Sequence, residues 1–177
     1  MSSVQSFLTP TWLFPIRAGA LLLVLAALAG CAGSPDFERQ AWPVAVEPAP
    51  MDADSTLVAE RLWQVFARYE GTPYRYGGTD AGGFDCSGFI LTAYREALGQ
   101  RLPRTTDAML ARGSEVRPEA VRPGDLVFFR IGGKDSHAGI YMGGQQFIHS
   151  ASSTGVTLSS LRSGYWRERY SRARRFD

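Results

Sequence analysis

Near Pro123-Gly124 the hydrophobic rhythm of this chain changes, and that change constrains its fold more than any other feature. Upstream, Leu57, Val58, Leu62, Val65, Phe66 and Tyr69 recur at helical spacing, and Gly71 stands where a helix can close. A second stripe runs through Phe89, Ile90, Ala93, Tyr94, Ala97 and Leu98, with Asp85 placed to cap its start and Gly99 behind it. Thr105 or Thr106 can cap a third, shorter helix through Ala111. Downstream, short apolar runs at 126–131, 138–142, 146–150 and 156–158 are broken by Gly132-Gly133 and Gly143-Gly144, the pattern of strands joined by turns. The end, 165–176, mixes aromatic residues with arginines and is expected to supply a last strand. Helices first and an antiparallel sheet of about five or six strands afterwards define an α+β domain.

The first 53 residues do not belong to that pattern. Residues 18–30 form an uninterrupted apolar run behind Arg17, shorter than the roughly 20 residues a membrane-spanning helix needs. The run reads as the core of a signal peptide, 1–30. Its end, Leu28-Ala29-Gly30-Cys31, resembles a lipobox, which implies diacylglycerol transfer to the Cys31 sulfur, cleavage before it and acylation, by palmitate or a similar chain, of the new amino terminus. Two or more acyl chains hold a protein stably to a membrane, at about 0.8 kcal/mol for each buried methylene. Ala32 follows where lipoproteins kept at the inner membrane carry Asp, so the expected location is the outer membrane, facing the periplasm. Residues 31–53, interrupted by Pro35, Pro43, Pro48 and Pro50, read as a flexible tether, and 54–177 as the folded domain.

Cysteine usage then turns composition into chemistry. The chain has two cysteines, and lipid consumes Cys31. Cys86 is left unpaired in an oxidising compartment, where an exported protein keeps a free thiol because it uses it. Cys86 sits where a glycine-rich passage meets the second helix, at the end whose dipole stabilises negative charge. A nucleophilic sulfur needs a base, and the chain has two histidines, His137 and His149, both in the strand half. Strands joined at Gly143-Gly144 can set the two rings side by side, one as base and the other fixing its tautomer. As zinc ligands the three residues lack the closely spaced pair that such sites display, and no metal or organic cofactor is expected. Removing 1–30, which holds Arg17 and no acid, lowers the net charge from +2 to +1, and nothing in that balance argues for nucleic acid as a partner.

The segments GTPYRYGG, FDCSGF, RPGDLVFF, SHAGIYMG and FIHSAS, in this order and spacing, resemble the NlpC/P60 family of papain-like cysteine peptidases over 54–177. The resemblance implies a papain-like fold, Cys86 as nucleophile, His137 as general base and His149 as the orienting third residue. It further implies that Tyr74, twelve residues before the cysteine, lies near the nucleophile and that Asp85 and Ser87 line the substrate site with it. The expected activity is hydrolysis of peptide bonds in peptidoglycan stem or cross-link peptides through a thiolate and an acyl-enzyme, by a monomer held at the membrane through Cys31. Two other readings stand beside it: a non-catalytic peptidoglycan-binding lipoprotein, and an acyl- or amidotransferase on the same scaffold. The arginines at 162–175 are expected to form the solvated face of the terminal strand.

Overall fold

Asp52 starts the first helix of the computed structural model, which describes Trp42, Pro43 and residues 51–177; these belong to the unit Arg39–Asp177. The signal run, Cys31 and most of the expected tether lie outside the described residues. Helix α1, Ala53–Tyr69, is capped by the Asp52 carboxylate, which accepts from Ser55 N at 2.7 Å. Its buried face, Ala59, Leu62, Val65 and Phe66, follows the 3-and-4 spacing of the sequence. The glycine-rich passage then forms a short ribbon, β1 (Thr79–Asp80) against β2 (Gly83–Phe84), which the hydrophobic pattern did not signal. Helix α2, Cys86–Leu98, and helix α3, Thr106–Arg112, start from Asp85 and Thr105 as their caps suggest.

Strand β3, Ser114–Val116, and a 3-10 turn at Pro118–Ala120 lead to the main sheet. Its further strands are β4 (Leu126–Ile131), β5 (Lys134–Gly143), β6 (Gln146–Ala151), β7 (Gly155–Ser160) and β8 (Tyr170–Arg175). All neighbours pair antiparallel in the order β3-β8-β4-β5-β6-β7, so the fold is α+β with a six-stranded sheet. The final segment is not strand throughout. Ser163 caps a short helix α4, Gly164–Arg169, and only then does β8 begin.

Side chains alternate across the strands, and both faces are buried. Leu126, Phe128, Ile140 and Ile148 pack with Leu62, Phe66, Phe89 and Ile90 of the helices in one cluster. Val127, Phe129, Tyr141, Phe147 and Tyr170 form a second cluster, which Trp42 completes. Trp42 is 2% exposed and stands edge-on to Tyr170 with ring centroids 5.0 Å apart. The stretch read as a free tether is therefore tied to the domain at this residue, because a large ring gains more by covering the rear of the sheet than by staying in water.

The terminal arginines also differ from expectation. Arg175 makes two bonds of 2.8 Å to the Asp125 carboxylate, which is 2% exposed, and Arg174 reaches Leu110 O at 3.0 Å and Glu115 at 3.3 Å. Rather than only facing solvent, they stitch β8 to α3, to β3 and to the loop before β4, and a buried carboxylate such as Asp125 requires a partner.

Candidate active site

Cys86 is the first residue of α2, and the element that places it is the loop before the helix. The Asp85 carboxylate caps the helix through Gly88 N (2.6 Å), holds the preceding loop through Gly77 N (2.9 Å), and accepts from Ser87 Oγ (3.1 Å). Arg104 completes it with a forked pair, Nη1 to Oδ1 at 3.1 Å and Nη2 to Oδ2 at 2.7 Å. Burial alone pushes this carboxyl up, but Arg104 and the Gly88 amide outweigh it and hold it below the usual carboxylate range. Gly88 is fixed by contact: a Cβ there would collide with Gly78 O, so the loop can lie against the first turn only if this residue is glycine.

Cys86 is 8% exposed as a residue, with Sγ 3.6 Å from Thr106 Oγ1 and 3.9 Å from Ser136 O. The sulfur thus meets the backbone of β5 one residue before His137. On the sheet, Ile140 pairs with Ile148. Continuing that register sets His149 opposite Gly139, two residues from His137 and on the same face. Gly139 is needed here, because a Cβ would lie 3.1 Å from His149 Cβ and 2.6 Å from the Phe147 ring. With that space open, His137 Nε2 and His149 Nδ1 lie 2.8 Å apart, and His149 Nε2 lies 2.9 Å from Ser159 Oγ on β7.

Trp166 of α4 covers the pair. Its ring stacks on His137 at 5.3 Å and 24° and stands edge-on to His149 at 4.9 Å and 82°. With water excluded, burial lowers the His137 pKa to about 4, and burial together with the neighbouring His137 lowers that of His149 to about 3. Both rings are neutral at ordinary pH.

A cleft of about 460 Å³ opens on Cys86, His137, His149 and Tyr74 together. Burial, then the charges of Cys86 and Asp85, push the Tyr74 phenol up, so it stays a hydrogen-bond donor. Four of the expected residues therefore share one cavity. Asp85 and Ser87 do not line it; they face Arg104, and their polar groups are occupied there. Cys31 lies outside the described residues. Three contributors went unnoticed in the sequence: Arg104, Ser159 and Trp166. Only Trp166 left a trace, as an aromatic residue in a run otherwise rich in charge.

The fold and this cavity define a cysteine-and-two-histidine site at the meeting of a helix start and an antiparallel sheet. Residues 71–175 match the model of the NlpC/P60 family, and the chain belongs to that family. It is 43% identical over 118 residues to the murein DD-endopeptidase MepS/murein LD-carboxypeptidase of Escherichia coli K12, a match covering 67% of this chain and 63% of that protein. It is 38% identical to the probable endopeptidase NlpC of the same organism, over 90% of this chain and 99% of that one. Among solved structures, an NlpC/P60 family protein from Bacillus cereus superposes with a TM-score of 0.61 at 33% identity, covering 71% of this chain and 41% of that chain.

Proposed function

We propose that this protein is a peptidoglycan peptidase in which Cys86 is the nucleophile and His137 the base. The observation that carries the reading is the chain of contacts His137–His149–Ser159 beside a cleft that Cys86 and both histidines line. The relatives named as murein and NlpC endopeptidases support the substrate class.

A base at His137 Nδ1 requires one of the two tautomer sets these contacts allow: His149 Nε2–H donates to Ser159 Oγ, and His137 Nε2–H donates to His149 Nδ1. His137 Nδ1 then carries the free lone pair. It takes the thiol proton as Sγ attacks the carbonyl carbon, and the oxyanion is met by the Cys86 N–H at the open end of α2 and by the Tyr74 hydroxyl. His137 returns the proton to the leaving amine, the C–N bond breaks, and a thioester remains. Water, deprotonated by the same ring, resolves it to a free carboxylate and the thiol.

Full-length protein incubated with purified peptidoglycan should release fragments bearing new peptide termini, read by chromatography and mass spectrometry. Cys86→Ala should lower the rate about a thousandfold or more. Absence of new termini with the wild type, or full activity in the variant, contradicts the reading.

The lipobox-like sequence supports placement in the cell envelope, anchored by acylated Cys31 at the outer membrane. Cys31→Ser should abolish incorporation of labelled palmitate and move the protein to the soluble fraction; labelling that persists would argue against the anchor.

A further inference from the structure

Strand parity puts the histidine pair and the residue that ties down the tether in one layer of rings. His137 and Tyr141 point to the same face of β5, and His149 and Phe147 to the same face of β6, so the imidazoles extend the cluster that Trp42 completes. The rings follow one another across the sheet. Trp42 meets Tyr170 at 5.0 Å and 75°, Tyr170 meets Phe129 at 6.5 Å, Phe129 meets Trp166 at 4.7 Å, and Trp166 stacks on His137 at 5.3 Å.

The backbone makes a second link between Trp42 and the cover of the histidines. Tyr170 is the residue at which α4 ends and β8 begins, and its N–H donates to Trp166 O. Helix α4 has six residues, none of them fully buried, and a helix of that length does not hold itself together. Its place is therefore set by the rings around Trp166 and by Tyr170 at its end. Among the described residues the Trp42 indole N–H and the Tyr170 hydroxyl are both buried without a hydrogen-bond partner, so ring packing is what joins them.

We propose that Trp42 is a positioning residue of the active site: seated on the rear of the sheet, this tether residue braces Tyr170 and so keeps α4 and the Trp166 ring over His137. Its bearing on catalysis rests on the reading of His137 as the base; the placement of the rings does not.

Removing the indole leaves Tyr170 a cavity to move into, and the end of α4 moves with it. Trp166 then lies less closely on the imidazole and water reaches the ring. Among the described side chains, those facing His137 are His149 from β6, Phe129 from β4 and Trp166 from α4, with Cys86 of α2 and Tyr74 lining the same cleft. The titratable ones, His149, Cys86 and Tyr74, are kept in every variant below, so a change in His137 reports its hydration.

The test titrates His137 by labelled-histidine NMR in full-length protein and measures peptide release from peptidoglycan against pH. Trp42→Ala should raise the His137 pKa from about 4 by about half a pH unit or more and carry the acid limb of the rate with it. Trp42→Phe, which keeps a ring and gives up an N–H that bonds to nothing, should restore most of the wild-type titration. In a Trp166→Ala background, where the cover is already gone, Trp42→Ala should add no further shift. Val116→Ala shortens a member of the same cluster on β3 and should lower the urea midpoint without moving the titration. If Trp42→Ala does not fold, Trp42→Leu, closer in volume, carries the same expectations. A titration that loss of the Trp42 ring leaves in place, that Val116→Ala moves as far, or that shifts equally with Trp166 absent overturns the proposal. The expected shifts in a protein that releases no peptide sink the peptidase and leave the coupling standing; peptide release with an unmoved titration does the reverse.

Discussion

Trp166 lies nearly parallel to His137, ring on ring at 5.3 Å, and so closes one face of the imidazole to water. That contact makes it a positioning residue. Trp166→Ala should rehydrate His137 and raise its pKa from about 4 toward the ordinary value. The acid limb of kcat/KM should then move to higher pH by about one unit, and Trp166→Phe should restore most of the wild-type profile. Because the chain has two histidines, labelled-histidine NMR of the same variants resolves the titration directly. A rate loss with an unmoved acid limb would show Trp166 to be packing only.

Dehydrated imidazoles also make stability depend on pH. His137 and His149 titrate at about 4 and about 3 when folded and near 6.5 when unfolded. Between roughly pH 6.5 and 4 the unfolded chain therefore binds more protons, so stability falls as pH falls through that window. Urea unfolding at pH 5 should give a lower midpoint than at pH 7.5, and His149→Gln should reduce the difference. An identical difference in the variant would mean that other groups cause it.

Asp85 serves the site from behind the nucleophile, since Gly77, Gly88, Ser87 and Arg104 all bond to its carboxylate. Asp85→Ala removes the helix cap and leaves Arg104 unpaired, and should cost about 2 kcal/mol of stability. Arg104→Met should raise the Asp85 pKa and lower kcat more than KM, because the residues it disturbs hold Cys86 without lining the cleft. A change confined to KM would place Arg104 in substrate contact instead.

How much of this was legible in the sequence depended on the range of the interactions. Helices α1 and α2 declared themselves because spacing and caps are local: Asp85 lies next to the helix it caps, and Leu62, Val65 and Phe66 repeat within one turn. The strands of the hairpin-rich half were marked by glycines at their turns, and the shared face of His137 and His149 follows from strand parity. Long-range pairings carry no such mark. Arg104 reaches Asp85 across 19 positions, and Arg175 reaches Asp125 across 50. Strand β3 has one buried residue in three and cannot be told from loop, while α4 is hidden in a run where aromatics and arginines satisfy neither period. Trp42 sits among prolines that argue for an extended chain, and only the shape of the sheet's rear face gives it a place.

The central claim is that the neutral His137 ring activates the Cys86 sulfur, and the rate of Cys86 alkylation reads it most directly. With iodoacetamide at pH 7, followed by peptide mass spectrometry at Cys86, the wild-type protein should react at least about tenfold faster than His137→Ala protein shown to be folded. Equal rates in the two proteins would contradict it.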